Sequence, residues 1–232
     1  MAKKVIEIKD LNYSYPDGTG ALRDMTFDVF EGESIGIIGP NGAGKSTLLL
    51  HLNGILLGND LIRIFDQEVN SDNLTQIRKK VGLVFQDPDN QLFMPTVFDD
   101  VAFGPINMLL PKNEVELSVE EALKEVDMLG SIGRASHHLS FGEKKRVSIA
   151  TVLSMKPEIL ALDEPTSNLD PKARYDFMQL LKSIAKTKII ASHDLDMVLD
   201  ICDRVIILDK GTIVASGATR EILSNAPLLK KH

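Results

Sequence analysis

The sequence has a single cysteine, no excess of basic residues and no long uninterrupted apolar run. The lone Cys202 excludes an internal disulfide and fits a reducing cytosol, and its apolar neighbours predict a buried core residue. A formal net charge of -7 argues against a nucleic-acid partner, because binding a phosphate backbone requires a basic face. No window approaches the roughly 20 apolar residues that cross a bilayer, and the charged N-terminus lacks the apolar stretch of a signal peptide. Any membrane role is therefore expected to be peripheral.

Short strands and helical patterns alternate along most of the chain, which predicts an α/β fold. The 232 residues are enough for one large domain, residues 1–232, with a smaller lobe inserted. Apolar runs at 159–162, 188–191 and 205–208 are separated by helical patterns, as in parallel βαβ units. Further strands are predicted at Val5–Ile8, Phe27–Val29, Ser34–Ile38, Leu61–Phe65 and Val81–Phe85.

The segment at about 87–145 has a different pattern and predicts an inserted helical subdomain. Residues 117–129 carry apolar side chains at helical spacing, with acidic residues between them. Pro95, Pro105 and Pro111 are expected to break the preceding segment into short pieces. The expected fold thus has a mostly parallel core sheet, an antiparallel β subdomain at the N-terminus and this helical insertion.

A glycine-rich loop follows the strand Ser34–Ile38 and matches the phosphate-binding pattern G-x-x-x-x-G-K-[ST], which predicts a P-loop NTPase core. Glycines let successive backbone N–H groups point at phosphate oxygens, and the following helix adds its positive N-terminal end. Lys45 is expected to contact the β- and γ-phosphates of ATP, and Ser46 to coordinate Mg²⁺. The alternative is a chance glycine-rich turn, which would require neither the strand nor the helix. The residues predicted to hold the nucleotide are Gly39, Asn41, Gly42, Gly44, Lys45, Ser46 and Thr47.

Two carboxylates end the apolar strand at 159–162. In P-loop ATPases such a strand is expected beside the phosphate-loop strand, so Asp163 would hold Mg²⁺ through its water shell. Glu164, one residue further on, would polarise the water that attacks the γ-phosphate. A solvated strand end is the alternative, and it would be the better interpretation if the glycine-rich loop were not present.

Leu139–Glu143, with the sequence Leu-Ser-Phe-Gly-Glu, resembles the L-S-G-G-Q signature of the ABC (ATP-binding cassette) ATPase family. It stands about twenty residues before the acidic strand end, as the family requires, and the resemblance covers nearly the whole chain. Ser140 and Gly142 occupy the phosphate-contacting positions at the start of a predicted helix. Phe141 and Glu143 depart from the consensus, which leaves the roles of these two side chains open.

Further family positions can be placed on this sequence by resemblance. Gln86 corresponds to the Q-loop glutamine, which contacts Mg²⁺ or the attacking water and links the core to the helical lobe. Ser167–Asp170 resembles the D-loop, and His193 corresponds to the switch histidine at a strand end. Tyr15 is expected to stack on the adenine ring, with Tyr13 as the alternative.

The resemblance implies that two ATPase chains work as a head-to-tail dimer. Each ATP would lie between the phosphate loop of one chain and Ser140–Gly142 of the other. Hydrolysis at Glu164, assisted by His193, would then loosen the dimer, so that ATP biases a two-state motion. Whether the second chain is another copy or a related ATPase stays open.

The stretch Phe85–Phe93 and the signature resemble one subfamily, the ATPases of energy-coupling factor (ECF) importers, including those for cobalt and nickel. The implied partners are integral membrane transporter subunits, and the ATPase would lie peripherally on the cytoplasmic face of the cell membrane. A separate membrane subunit selects the cargo in ECF systems, so cobalt, nickel and a vitamin all remain open. The apolar residues expected either to line a groove for a membrane subunit or to form helical-lobe core are Leu92, Phe93, Met94, Val97 and Phe98.

Two other functions remain open on the sequence alone. One is a soluble ABC ATPase in repair, translation or cofactor assembly, although the chain shows neither long insertions nor a second cassette. The other is a P-loop kinase that transfers phosphate to a small molecule. The adjacent His137 and His138 are interpreted as a solvated pair rather than metal ligands, because adjacent side chains point apart.

Overall fold

The computed structural model describes residues 3–58 and 61–231, in which ten strands form two sheets. The strands are β1 Lys4–Ser14, β2 Gly20–Phe30, β3 Ser34–Ile38, β4 Leu61–Ile64, β5 Gln67–Glu68, β6 Val81–Val84, β7 Ile159–Asp163, β8 Thr187–Ala191, β9 Arg204–Asp209 and β10 Thr212–Ala218. The α-helices are α1 Lys45–Leu52, α2 Leu74–Lys80, α3 Val97–Asn107, α4 Lys112–Glu125, α5 Phe141–Leu153, α6 Pro171–Ser183, α7 Leu195–Ile201, α8 Thr219–Ser224 and α9 Ala226–Lys231.

The chain forms two compact units. The first unit contains the described parts of residues 1–83, 158–164 and 185–232, and the second contains residues 84–157 and 165–184. In the described residues, no helix is both long and apolar enough to cross a membrane.

A six-stranded sheet with the order β10-β9-β3-β8-β7-β6 forms the core of the first unit. The strand β3 pairs in parallel with β8 and β9, and β7 pairs in parallel with β8. All five residues of β3 are buried, as expected for a parallel strand covered on both faces. The strand β10 runs antiparallel to β9. The predicted mostly parallel core is thus confirmed.

One predicted strand neighbour is wrong. The acidic strand β7 was expected to lie beside the phosphate-loop strand β3, but β8 lies between them. The physical reason is that β3 pairs with β8, a strand far along the chain. Residues Ser34 to Ile37 of β3 align with Lys188 to Ala191 of β8. The strand that precedes His193 therefore lies between the glycine-rich loop and the carboxylates.

A second, antiparallel sheet with the order β2-β1-β4-β5 confirms the predicted N-terminal β subdomain. The turn between β1 and β2 is closed by hydrogen bonds from the Tyr15 N–H to the Thr19 carbonyl and from the Gly18 N–H to the Tyr15 carbonyl, both 2.9 Å. Gly18 has a φ of 87°, a left-handed conformation that favours glycine. The turn-rich composition around residues 13–20 thus produces a hairpin, with Tyr15 at its first turn position.

The helical subdomain is confirmed in the second unit, where α3, α4 and α5 pack against one another. The predicted helix at 117–129 corresponds to α4, which begins five residues earlier, directly after Pro111, and ends four residues earlier, at Glu125. The expectation that prolines leave only short pieces before it is wrong for α3. This helix has 11 residues and contains Pro105.

The structure shows why Pro105 does not break α3. A proline lacks the N–H that would donate to the carbonyl four residues earlier, which here belongs to Val101. The hydroxyl of Ser154, just after α5, donates to that carbonyl at 2.9 Å. A side chain from a neighbouring helix therefore replaces the missing backbone hydrogen bond.

Candidate functional site

The glycine-rich loop joins β3 to α1, with the strand–loop–helix context that the sequence predicted. Gly39, Gly42 and Gly44 have φ values of 146°, 78° and 102°. A Cβ at Gly39 would collide with the Leu208 carbonyl oxygen, and one at Gly44 would lie 2.5 Å from the Ala21 carbonyl oxygen. The loop backbone is thus packed against neighbouring strands so closely that only glycine fits at these two positions.

Lys45, the first residue of α1, points back along this loop. Its Nζ donates to the carbonyl oxygens of Gly39 at 2.8 Å and Pro40 at 3.1 Å, and the residue is only 7% exposed. The ammonium therefore lies within the curve of the loop, where a phosphate group would meet it. The first N–H groups of α1 have no partner within the helix and can point at an anion.

The arrangement of the loop fits a triphosphate. The loop has glycine at positions where no side chain fits. Its backbone N–H groups can therefore approach phosphate oxygens closely. The exposed hydroxyl of Ser46 stands on α1, and α1 packs against β7, the strand that ends at Asp163. A hydroxyl and a carboxylate are oxygen ligands of the kind that Mg²⁺ takes alongside substrate phosphates.

The two candidate adenine-stacking tyrosines lie edge to face with ring centroids 5.2 Å apart, and both contact α1. The Tyr15 hydroxyl forms a 2.9 Å hydrogen bond with Oγ1 of Thr47, which ties Tyr15 to the helix of the glycine-rich loop. Tyr13 instead packs edge to face against His51, with ring centroids 4.6 Å apart, and His51 is buried. Tyr15 therefore contacts α1 nearer its start, next to the glycine-rich loop, and the stacking of Tyr15 on adenine stays a prediction.

Glu164 directly follows β7 and is held by the end of β8. Its φ is 44°, and its backbone N–H donates to the Ala191 carbonyl at 2.8 Å. Its carboxylate accepts from the Ser192 hydroxyl at 3.1 Å and from the His193 backbone N–H at 3.1 Å. The His193 imidazole Nδ1 lies 2.8 Å from Oε2 of the same carboxylate. The predicted Glu164 and His193 are thus brought into direct contact.

Three predicted site residues belong to the second unit, whereas Asn41 lies in the glycine-rich loop of the first. Gln86 follows β6 and is exposed, and its backbone carbonyl accepts a hydrogen bond from Lys145 Nζ at 2.7 Å. Ser140 is the N-cap of α5, and Gly142 is the second residue of that helix. The signature residues therefore stand at the N-terminus of a 13-residue helix, where unsatisfied N–H groups attract an anion.

The structure explains Glu143, whose role the sequence left open. Its Oε2 accepts from the Ser140 backbone N–H at 2.7 Å, while the Ser140 hydroxyl accepts from the Glu143 N–H at 3.3 Å. These reciprocal bonds form a capping box, in which Glu and Gln are both suitable. The Ser140 N–H, the Ser140 side chain and Arg134 together lower the pKa of Glu143. Glu143 therefore fixes the start of α5.

A cavity of about 340 Å³ opens beside this helix start, within the second unit. Its lining includes Ser140, Gly142, Glu143, Arg146, Leu169 and Phe177. The D-loop candidate and the signature candidate thus share one concave surface.

The expectation about the histidine pair is only partly right. His137 and His138 are both exposed, as predicted, but their rings do not point apart. The ring centroids are 4.1 Å apart at an interplanar angle of 61°, because the pair lies in a 3₁₀ turn rather than an extended strand or an α-helix. In the described residues, no cluster of three or more His, Cys, Asp or Glu side chains could hold a metal ion.

Comparison with known proteins decides the family. The ABC transporter family model matches residues 22–167, more than half of the chain. The chain belongs to the ABC transporter ATP-binding family. As an ABC ATPase, it binds ATP together with Mg²⁺ and hydrolyses the ATP.

Similar known proteins align with nearly the full length of this ABC ATPase. It is 55% identical over 230 residues to an ABC transporter ATP-binding protein of Geobacter sulfurreducens, covering 99% of this chain and 92% of the relative. It is 50% identical over 233 residues to the energy-coupling factor transporter ATP-binding protein EcfA of Methanothermobacter thermautotrophicus, covering 98% of this chain and 75% of the relative. The structure of cbiO1 from Clostridium perfringens, part of the ABC transporter complex cbiONQ, superimposes with a TM-score of 0.86 at 40% identity, over 99% of this chain and 94% of that one.

Two residues of the ABC ATPase site escaped the sequence analysis. Ser192 is fully buried, and its hydroxyl donates a hydrogen bond to Glu164. Lys145 is 1% exposed and donates a hydrogen bond to the Gln86 carbonyl. A lysine in a helix that is buried rather than solvated leaves no signature in a single sequence.

Proposed function

We propose that this chain is the ATP-hydrolysing subunit of a membrane importer of the ECF type. The observation that carries the proposal is the contact of Glu164 with His193 in the unit that also holds the glycine-rich loop around Lys45. The EcfA relatives and the cbiO1 structure point to the ECF subfamily. In this proposal, residues 1–232 act as one ABC ATPase domain, with the helical segment at about 87–145 inserted in it.

Residues of the first unit bind the nucleotide in this proposal. Tyr15 stacks on the adenine. Lys45 releases the loop carbonyls to which it donates and binds the β- and γ-phosphates instead. Ser46 and Asp163 hold Mg²⁺, which when bound neutralises charge on the phosphates. The backbone N–H groups of the loop contact phosphate oxygens at positions where larger residues do not fit. Asn41 and Thr47 complete this set.

Glu164 is the proposed general base. Its carboxylate accepts hydrogen bonds from the Ser192 hydroxyl and the His193 N–H, so its direction is fixed by the end of β8. An oriented carboxylate can take a proton from water that attacks the γ-phosphate, a contribution that is typically about 10²- to 10⁴-fold in rate. His193, whose side chain is 67% exposed, can turn from Glu164 toward a phosphate oxygen. Gln86 adds an amide oxygen for Mg²⁺ or the water.

The helix start at Ser140 and Gly142 has an independent role in this proposal. It binds the γ-phosphate of an ATP held by a second ATPase chain, using the N-terminal N–H groups of α5. ATP then holds two chains head to tail, either two copies of this chain or one copy with a related ATPase. Hydrolysis removes the shared ligand and lets the chains separate.

Exposed apolar side chains on the second unit support a membrane partner. Phe93 and Phe103 pack edge to face with centroids 5.1 Å apart, although they are 63% and 45% exposed. Ile106 and Leu109 are 56% and 89% exposed nearby in sequence. Grouped exposed apolar side chains usually mark an interaction site. We assign this surface to an integral membrane subunit, with the ATPase peripheral on the cytoplasmic face.

The five groove candidates differ in burial. Leu92 and Val97 are buried at 8% and 0% exposure and form core of the second unit. Phe93 is exposed, whereas Met94 and Phe98 are half-buried. Of the five, Phe93 is therefore the side chain best placed to contact a membrane subunit.

Two measurements test the proposal. Purified chain with ATP and Mg²⁺ should release phosphate steadily without any acceptor, whereas a kinase would require one. The tagged chain should also co-purify with integral membrane proteins from detergent-solubilised native membranes. ATP hydrolysis with no membrane partner under those conditions would favour the alternative of a soluble ABC ATPase. The co-purifying subunits would identify the cargo class among cobalt, nickel and a vitamin.

A further inference from the structure

Lys145 is a lysine buried in the interior of the second unit. It stands in the second turn of α5 and is 1% exposed, the largest of the fully buried side chains. Removing an ammonium from water is costly unless hydrogen bonds replace its hydration. A buried lysine at this place therefore requires acceptors that the surrounding segments supply.

The acceptors come from two segments distant in the chain. Lys145 Nζ donates to the Gln86 backbone carbonyl at 2.7 Å, across 59 sequence positions. It also donates to the Ser167 hydroxyl at 3.3 Å, across 22 positions. The same ammonium lies 5.7 Å from the ring centroid of Phe141, in the first turn of α5. One side chain thus contacts the Q-loop segment, the D-loop segment and the signature helix.

The choice of acceptor atoms has a chemical consequence. Lys145 binds the backbone carbonyl of Gln86, so the Gln86 side-chain amide remains available to Mg²⁺ or water. The bond is charge-assisted, and such bonds are shorter and stronger than those between neutral groups. An ammonium with three rotatable donors can serve two acceptors in different directions from one stem. Lys145 therefore orients the Gln86 backbone without using its functional group.

The helix that carries Lys145 also carries the signature. Ser140 caps α5, and Lys145 follows four residues after the first helical residue, within one continuous helix. A displacement of the helix start therefore moves the ammonium as well, together with the carbonyl and hydroxyl bound to it. Neighbouring Lys144 points elsewhere and pairs at 2.6 Å with Asp89, which is 62% exposed.

We propose that Lys145 is a positioning residue that couples the signature end of α5 to Gln86 and Ser167. When Ser140 and Gly142 engage the nucleotide of a second chain, Lys145 brings Gln86 and Ser167 into register with that contact. The assignment rests on the proposed function, because it assumes that the signature and Gln86 act on ATP.

The test compares Lys145→Met with Lys144→Met in the full-length chain. Methionine keeps an unbranched apolar stem at position 145 and removes the ammonium. Lys144→Met makes the same change one residue away, where the ammonium pairs with the exposed Asp89. We expect Lys145→Met to lower kcat by about 10²-fold, the cost of misplacing a reacting group by about 1 Å, with KM for ATP unchanged. Lys144→Met should keep the wild-type kcat.

Hydrogen exchange supplies a readout that simple loss of stability would not give. Amides in residues 84–91 and 165–170 should exchange faster in Lys145→Met, while those of β3 and α1 keep wild-type rates. Lys145→Arg, which retains the charge, should recover part of kcat and slow the exchange again. If Lys145→Met fails to fold, Lys145→Arg is compared with the wild type instead. Faster exchange confined to residues 84–91 and 165–170 then supports the role of Lys145, and uniformly faster exchange contradicts it.

The possible outcomes distinguish a failure of the proposed function from a failure of the role assigned to Lys145. Wild-type protein that releases no phosphate overturns the proposed function. Wild-type protein that hydrolyses ATP while Lys145→Met matches Lys144→Met overturns the role of Lys145 alone. Uniformly faster exchange across both units, or equal losses in kcat and ATP affinity, would also overturn it, since either shows general destabilisation.

Discussion

Nδ1 of His193 lies 2.8 Å from Oε2 of Glu164, so a mostly exposed imidazole pairs with a mostly buried carboxylate. The carboxylate keeps two further anchors just after β8, the Ser192 hydroxyl and the His193 backbone N–H. The imidazole can leave this cluster without exposing an unsatisfied charge, because the fixed donors remain. The Glu164 carboxylate is thus held in place by the segment that follows β8, while the His193 imidazole is free to change partners.

Glu164→Gln should leave ATP binding intact and lower kcat by about 10²-fold or more, because an amide cannot accept the proton of the attacking water. The variant should therefore accumulate as an ATP-held dimer. Size-exclusion chromatography with and without ATP, alongside a phosphate-release assay, measures both effects.

Glu116→Gln is the matched control, since Glu116 is half exposed on α4. It should hydrolyse ATP at the wild-type rate and form no lasting dimer. A Glu164→Gln variant with wild-type kcat would remove Glu164 from the mechanism.

Lys45→Ala should abolish tight ATP binding. The substitution removes the cation proposed to face the phosphates and also the two hydrogen bonds that Lys45 makes to its own loop. Equilibrium binding of a fluorescent ATP analogue provides the measurement. Lys112→Ala, at a side chain that is 91% exposed, should bind as the wild type does. Equal affinities in the two variants would refute the assignment of the loop.

The charge of Glu143 should contribute to stability in a pH-dependent way. Hydrogen bonds from Ser140 and the nearby Arg134 lower its pKa from the ordinary value of 4.5. The charged form is therefore favoured in the folded state, so its stabilisation is complete above pH 4.5 and is lost as the pH falls through the lowered pKa.

Glu143→Gln isolates that charge, because glutamine also forms a capping box. We expect the variant to be less stable at neutral pH by under about 1 kcal/mol, since the ion pair is partly exposed and solvent screens it. The difference should disappear in acid below pH 4.5. Thermal unfolding of both proteins across this range checks the prediction, and a difference independent of pH would contradict it.

Cys202 should resist alkylation in the native protein. Burial raises the pKa of its thiol to about 12, so almost no thiolate exists at mildly alkaline pH. Iodoacetamide should label the native chain slowly and the guanidinium-unfolded chain rapidly, as followed by intact-mass spectrometry. Comparable labelling rates would show that the thiol is accessible. The buried position itself confirms the core role predicted from its apolar neighbours.

The sequence alone was sufficient for features determined by local chemistry. The glycine-rich loop between β3 and α1 was placed correctly because its glycine spacing, strand and helix are all contiguous. The cap of α5 at Ser140 is local for the same reason. The predicted roles of these residues in binding ATP stay predictions until they are measured.

Features that depend on contacts between distant parts of the sequence could not be predicted. Nothing within 159–164 indicates that β8 separates β7 from β3, since strand order depends on segments over a hundred residues apart. The burial of Lys145 depends on Gln86 and Ser167 in the same way. The strand β10 and the helices α2, α8 and α9 were not predicted, because short elements carry little periodicity.

The bond from Ser154 to the Val101 carbonyl makes two distant positions mutually dependent. With Pro105 in place, losing the Ser154 hydroxyl would leave the buried Val101 carbonyl without a donor. The loss would lower the free energy of unfolding by about 1 to 3 kcal/mol. With an alanine at position 105, the backbone would supply its own donor and the hydroxyl would become dispensable. Tolerance at position 154 therefore depends on which residue occupies position 105, and an engineer who redesigns either helix must treat the two as one choice.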